Sequence, residues 1–273
     1  MTPSETKRVM VENGFTAKKR LGQNFLVDER ILDKIIKAAD IGANDTILEI
    51  GPGMGALTRK LAERAGQVLA IEIDGTLAEI LEKTMSDREN VKIIRADALK
   101  ADFREFIQDF TRAKAVANLP YCVATPIIMK LLEFNFREII VMVQKEVAER
   151  ILASPGEKNY GSLTLAARYE ANAEIVTYVP PNCFMPRPNV NSAVIRLSPR
   201  LEKPVSPKNK DLMFSVIRTA FSTRRKTLLN CLSRRWPKDD LREILKICGL
   251  DENTRGERLS LEDFARLSDA LKI

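Results

Sequence analysis

The spacing of apolar residues along this chain changes several times, and each change marks an element. "TILEI", Thr46 to Ile50, is short, apolar and rich in β-prone residues, as a buried strand is. In "ALTRKLAERA" the residues Ala56, Leu57, Leu61 and Ala65 fall on one stripe of a helix. "QVLAIEID" then reads as a strand, "LAEILEKTM" as a helix, "VKIIRAD" as a third strand and "AKAVANLPY" as a fourth. "EIIVMVQ" is the fifth, followed by the helix "KEVAERILA". Strands alternating with helices predict an α/β domain with a parallel sheet. "EIVTYV" and "SAVIRL" follow, joined by a Pro-rich loop without a helix, which predicts an antiparallel hairpin at the sheet edge.

Near Ser198 the character changes. "SPRLEKPVSPKN" is a Pro- and Lys-rich connection, and the segments after it are helical in period. Gly249 is a stop signal among them and Ser260 a cap. The expected division is therefore a first domain over 1–200 and a small all-helical domain over 201–273.

Composition narrows the chemistry. The chain of 273 residues has no histidine, and none of its four cysteines, Cys122, Cys183, Cys231 and Cys248, sits in a CxxC pair. Histidine-based metal sites and histidine general bases are excluded, and a structural zinc is disfavoured. No segment is long and apolar enough for a membrane span, and the N-terminus lacks the apolar core of a secretion signal. A reduced, cytoplasmic, monomeric protein is the expectation. The net charge of +7 is unevenly placed. Arg200 to Trp236 holds ten lysines and arginines against two acids, a local +8, so the remainder sums to −1. Such asymmetry suits a polyanion, although a solvated basic face explains it equally well.

"EIGPGMGALT" follows the first strand and opens a helix. Gly51, Gly53 and Gly55 allow a tight turn against which a ligand can lie. Glu72 closes the next strand about twenty residues later, with Asp74 beside it, a spacing that suits the two hydroxyls of a ribose. The glycine spacing departs from the dinucleotide fingerprint, and Pro52 removes an N–H that would meet a pyrophosphate. A ribose-bearing cofactor without a pyrophosphate, such as S-adenosylmethionine, fits better than NAD. Asp97 in "RADAL", at the end of the third strand, is placed to accept from an adenine amine, though a lone Asp there is more often a turn residue.

"NLPY" ends the fourth strand. The Asn118 side-chain carbonyl and the Leu119 backbone carbonyl, with Pro120 stiffening the turn, are two acceptors suited to one NH₂ group. Tyr121 offers a face on which a base can stack. An aromatic amine is a poor nucleophile, and two acceptors on its hydrogens favour a pyramidal nitrogen with its lone pair free. Phe184 heads a stiff loop containing Pro186 and Pro188, which could hold it over the opposite face of the base. Taken singly, Phe184 reads as an ordinary core residue.

Together "KKRLGQNFL", "EIGPGMGALT", "IEID", "DAL", "NLPY", "FMPRPNVNSAVIRL" and "AFSTRRKTL" resemble the ribosomal RNA adenine N6,N6-dimethyltransferases, nearly end to end and in the family's order. "LGQNFL", "NLPY" and "FSTRRKTL" favour the housekeeping branch that acts on small-subunit rRNA over the erythromycin-resistance enzymes of large-subunit rRNA. The resemblance implies a Rossmann-like class I methyltransferase sheet binding S-adenosylmethionine. It implies that Asn24 and Leu26 close over the cofactor, with Gly51, Gly53, Glu72, Asp97 and Asn118 completing that site. Asn118, Leu119, Pro120 and Tyr121 would hold the amine, with Phe184 stacking. Arg224, Arg225 and Lys226 would meet RNA phosphates of the small ribosomal subunit. After "NLPY" the family often shows a polar residue and a serine, where this chain has Cys122, Val123 and Ala124. A nucleotide-dependent oxidoreductase and a non-catalytic assembly factor are the competing readings. The glycine spacing opposes the first and the intact "NLPY" the second.

Overall fold

Consecutive Val, Ile and Leu leave a strand no polar face, so such strands need cover on both sides. The computed structural model describes residues 2–18, 21–223 and 225–271 and places these runs in the middle of one sheet. The first elements are α1 (Pro3–Glu12), β1 (Phe25–Leu26), α2 (Glu29–Ala39), β2 (Thr46–Ile50), α3 (Ala56–Ala62), β3 (Gln67–Glu72), α4 (Gly75–Thr84) and β4 (Val91–Arg95). They are followed by β5 (Ala113–Asn118), α5 (Ala124–Leu131), β6 (Glu138–Gln144), α6 (Lys145–Leu152), α7 (Ser162–Glu170), β7 (Ala171–Val179), β8 (Phe184–Met185) and β9 (Ser192–Pro199). The seven-stranded sheet has the order β4-β3-β2-β5-β6-β9-β7, and β1 pairs with β8 in a small separate sheet. Strands β2 to β6 run parallel, and β9 runs antiparallel to β6.

The chain steps from β2 outward through β3 to β4, then returns to place β5 and β6 on the other side of β2. This reversal opens a crevice beyond the carboxyl ends of β2 and β5, where open α/β sheets bind ligands. The β2–β5 register pairs Thr46 with Ala113 and Leu48 with Ala115, so its continuation sets Gly51 opposite Asn118. At the other end of the same strands, buried Lys114 of β5 lies 2.8 Å from Asp45, just before β2, and donates to the Ala39 carbonyl at 3.0 Å. The two central strands are thus pinned at one end and open at the other.

Two helices go beyond the sequence-based expectation. In α2, Ile31, Leu32, Ile35, Ile36 and Ala39 form a buried stripe, and Asp28 caps the first turn by accepting from Arg30 and Ile31 N–H. In α1 the capping box of Thr2 and Glu5 and a proline in the first turn start the helix. Helix α5 starts at Ala124, directly after the turn that follows β5, with Val123 in the cap position and Thr125 inside its first turn.

The chain divides into two compact units, Met1–Ala148 with Asn172–Pro199, and Glu149–Ala171 with Arg200–Ile273. The segment 149–171 therefore leaves the first domain, to which the sequence reading assigned it. The reason is packing. Ala153, Tyr160, Leu165 and Tyr169 share a buried cluster with Met213, Ile217, Leu228 and Phe264, and the Tyr160 hydroxyl donates to the Leu259 carbonyl at 2.8 Å. The second unit holds α7 with α8 (Lys210–Ala220), α9 (Leu228–Leu232), α10 (Lys238–Ile247) and α11 (Leu261–Ala270). Gly249 follows α10 with φ +69°, and Ser260 forms a capping box with Asp263 at the start of α11, as their residue types predict.

Candidate active site

A cavity in the first unit opens at the crevice between β2 and β5, and Asn24, Leu26, Gly51, Gly53, Glu72, Asp97, Asn118, Leu119, Pro120 and Tyr121 all line it. The backbone geometry explains the glycines. Gly51 has φ +70°, and a Cβ there would stand 3.3 Å from the Pro120 ring. Gly53 has φ +58°, and a Cβ there would meet the Phe25 ring at 2.8 Å. The second glycine thus lets β1 close against the loop, besides offering its backbone to a ligand.

Two acids flank this loop. Glu72 is buried, and burial raises its pKa above the usual carboxylate range, opposed by the Asp74 and Gly53 N–H groups directed at it. The Asp74 N–H lies 2.9 Å from its Oε1. Glu49, on β2, was not singled out from the sequence. It is 1% exposed and lines the same cavity, its Oε2 has no hydrogen-bond partner, and burial pushes its pKa up to about 8. The Thr58 hydroxyl beside it offsets part of this shift without reaching good hydrogen-bond geometry. An unpaired buried carboxyl at a ligand cavity is costly unless a ligand answers it. A cationic, ribose-bearing cofactor fits this pair of acids.

Asp97 is a turn residue as well as a lining one, since its Oδ1 accepts from Leu99 N–H at 2.9 Å. Ile73 and Leu99 also line the cavity while remaining 59% and 37% exposed, an unusual state for large aliphatic side chains. They offer apolar surface to a flat ring. The sequence signal for Ile73 was present in "IEID", an apolar residue just past the strand end.

At the end of β5, the Asn118 Nδ2 donates to the Asn24 carbonyl at 3.1 Å. This occupies the donor end of the amide and leaves Oδ1 as an acceptor. The Leu119 N–H is bonded to the Met142 carbonyl at 3.1 Å, and the Pro120 carbonyl accepts from Val123 N–H at 3.1 Å, which closes the turn. The Tyr121 hydroxyl shares a 2.6 Å hydrogen bond with Ser192 Oγ of β9. Burial raises the Tyr121 pKa, so it stays a neutral phenol at physiological pH, its ring held by a partner that the sequence reading missed.

Phe184 does not join this group. It is 4% exposed, pairs with Leu26 across β1 and β8, and belongs to the buried cluster that also holds Leu32, Val116, Met142 and Val179. It is absent from the cavity lining, so the expected second face of a base sandwich is a core residue in this structure. Phe184 lies in β8, which pairs with β1, and its side chain is buried in the cluster that includes Leu26.

In the second unit, Arg225 and Lys226 are exposed, while Arg224 lies outside the described residues. Other cations of the basic stretch are engaged internally. Lys203 and Lys210 bind the Glu170 carboxylate at 2.6 and 2.8 Å, and Arg200 donates to the Arg168 carbonyl at 3.1 Å. Among the described residues no group of His, Cys, Asp and Glu could hold a metal ion, and no helix is long and apolar enough to cross a membrane.

This arrangement of glycine loop, buried acids and a strand-end amide pairs with a sequence match that decides its family. The model of the ribosomal RNA adenine dimethylases matches residues 14–272. The chain belongs to the ribosomal RNA adenine dimethylase family. Among its relatives, "Ribosomal RNA small subunit methyltransferase A" of Geobacillus thermodenitrificans is 49% identical, over 99% of this chain and 96% of that protein. The protein of the same name in Clostridium botulinum is 47% identical, over 97% and 98%. Among solved structures, a dimethyladenosine transferase from Plasmodium falciparum aligns with TM-score 0.76 and 31% identity, covering 89% of this chain and 95% of that one. A 23S rRNA methyltransferase, ErmE, aligns with TM-score 0.70 and 28% identity, covering 91% and 99%. The family makes the protein a methyltransferase, and the cavity described above lies at the switch point of its mixed sheet.

Proposed function

We propose that this enzyme uses S-adenosylmethionine to methylate the N6 amine of adenosine in small-subunit ribosomal RNA, twice on the same nitrogen. The observation that carries the reading is the Asn118 amide, whose donor end is occupied by the Asn24 carbonyl and whose acceptor end is left for an amine. The small-subunit target is supported by the names of relatives that match along nearly their whole length.

The cofactor supplies an electrophilic methyl group. Glu72 would hold its ribose, Glu49 would answer its positive charge, and Gly51 and Gly53 would bring backbone close to it. Asp97 with Ile73 and Leu99 would frame its adenine, while Asn24 and Leu26 close the near side. For the substrate, the Asn118 Oδ1 and the Leu119 carbonyl would accept the two amine hydrogens. This draws the nitrogen toward a pyramidal shape and frees its lone pair, an interaction that strengthens as the reaction proceeds. Tyr121, oriented by Ser192, gives the base one stacking face. No histidine base is needed, because an amine that has gained a methyl is acidic and sheds its proton to water. After one transfer a single hydrogen remains for one acceptor, which permits the second.

The second unit would bind RNA, with Arg225, Lys226 and Arg224 on phosphates, and the protein would act as a cytoplasmic monomer. The target base must be a loop base or one turned out of its stack, since a paired adenine cannot reach a strand-end crevice. Labelled methyl transfer to undermethylated small and large subunits, followed by mass spectrometry of the nucleosides, tests the proposal. N6,N6-dimethyladenosine on the small subunit is expected. Transfer to the large subunit alone would make the ErmE-like reading correct, and RNA binding without transfer would indicate an assembly factor.

A further inference from the structure

The segment before β1 carries a polar network that the reaction as described does not use. Asp74 is 5% exposed and sits beyond the end of β3, two residues after Glu72. Its carboxylate takes Lys18 Nζ at 2.9 Å on Oδ1 and 2.8 Å on Oδ2, and Gln23 Nε2 at 2.9 Å. It also caps α4 by accepting from Thr76 N–H at 3.2 Å. Burial works against ionisation of Asp74, but the hydrogen bonds from Lys18 and Gln23 outweigh it and hold its pKa below the ordinary value. Gln23 is gripped at its other end as well, since its Oε1 accepts from Lys18 N–H at 2.7 Å. The next residue is Asn24. Its side chain turns back to donate to the Gly22 carbonyl at 3.1 Å, and its backbone carbonyl receives Asn118 Nδ2.

A primary amide has a donor end and an acceptor end of nearly the same shape. Packing cannot tell them apart, whereas a fixed carbonyl can. We infer that Gln23 and Asp74 are positioning residues that hold the Asn24 carbonyl against Asn118 Nδ2, so that the acceptor end of Asn118 faces the substrate amine. The inference rests on the proposed reaction, in which Asn118 accepts from that amine. It also couples the two halves of the site, because Asp74 is bonded through its own N–H to Glu72. The competing explanation is a plain staple, in which Lys18, Gln23 and Asp74 only tether the N-terminal segment.

Full-length wild type, Gln23→Ala, Asp74→Asn, Asn118→Ala and the Gln23→Ala/Asn118→Ala double variant separate the two. Asp74→Asn retains a good helix cap and removes the charge facing Lys18. In single-turnover methyl transfer to undermethylated small subunits, at saturating S-adenosylmethionine, both Gln23→Ala and Asp74→Asn should slow the chemical step roughly tenfold and leave RNA affinity within about twofold. Gln23→Ala should slow Asn118→Ala no further, because it acts through the side chain already removed. A second readout does not depend on activity. The side-chain NH₂ signal of Asn118, identified by its disappearance in Asn118→Ala, should show one proton protected from exchange in wild type and neither in Gln23→Ala. Equal slowing in both backgrounds, an unchanged rate in folded Gln23→Ala, or an unchanged amide signal overturns the inference. Should Gln23→Ala fail to fold, the rate and amide signal of Asp74→Asn decide by the same criteria. If wild type transfers no methyl to small subunits, the proposed function falls, while the amide signal still decides whether Gln23 orients Asn118.

Discussion

The strand-end rim of the first unit and the basic stretch of the second both gather polar groups, and they treat them differently. At the rim, Glu72, Asp74, Asn118 and Tyr121 are each held by named hydrogen bonds at 2.6 to 3.2 Å, and Glu49 and Glu72 are buried enough to shift their titration. In the basic stretch, Arg225 and Lys226 stand in solvent, and Lys203 and Lys210 are occupied by Glu170. Preorganised groups in a water-poor crevice act on one atom of a substrate, and removing one costs a large factor in rate. Exposed cations act on a charge field, and each contributes modestly and in a salt-dependent way. Chemistry is expected from the first region and RNA affinity from the second.

The largest effect that would break this division is at Asn118. Asn118→Ala should lower the single-turnover methyl-transfer rate by about 100-fold, the scale for removing one preorganised polar contact to a reacting group. RNA affinity measured by filter binding should stay nearly unchanged. A rate within a few-fold of wild type would place the amine acceptor elsewhere.

Next comes Glu72. Glu72→Ala removes a charged acceptor from the cofactor and should weaken S-adenosylmethionine binding by roughly 1.5–3 kcal/mol. Calorimetry on the folded variant measures this directly, and an unchanged affinity would show that the ribose is held by other groups.

The second region is probed by neutralising Arg224, Arg225 and Lys226 together. Small-subunit affinity should fall, and the slope of log affinity against log salt should become shallower by about 2–3. The methyl-transfer rate at saturating RNA should be preserved. An unchanged slope would mean that these cations only solvate a helix face.

Two smaller effects sharpen the account of the rim. Ser192→Ala leaves the half-buried Tyr121 hydroxyl without its partner and should cost about 1–2 kcal/mol in stability, read from denaturant unfolding. Glu49 gives a pH signature. Its folded pKa, about 8, lies above the ordinary carboxylate value, so the folded state binds its proton more tightly than the unfolded chain. The resulting stability is fully present below the ordinary carboxylate pKa and is lost as pH rises through about 8. The melting temperature of the cofactor-free protein should therefore decline across that window, and Glu49→Gln should flatten the decline. Equal slopes in the two proteins would mean that Glu49 is ionised throughout.

The order of strands and helices, the glycine loop, Glu72 and "NLPY" were all legible from local pattern, because periodicity, glycine and proline act within a few residues. Ser260 and Gly249 were legible for the same reason. Other features depended on which strands become neighbours. Gly51 meets Asn118 only because β2 and β5 are adjacent and in register. Phe184 looks like a stacking residue in its Pro-rich loop, yet it is buried in a cluster with Leu26, whose strand β1 pairs with β8. Segment 149–171 reads as a continuation of the first domain, but Tyr160 and Tyr169 find their apolar partners among the C-terminal helices. Glu49 looks like one polar residue in a strand until the fold encloses it. Sequence alone determined the elements and the kinds of groups at their ends, since those follow from local sterics and hydrophobic period. The tertiary structure decided which groups lose water, which hydrogen bonds use up one end of Asn118 and which aromatic is exposed, because each of these depends on contacts between residues far apart in the chain.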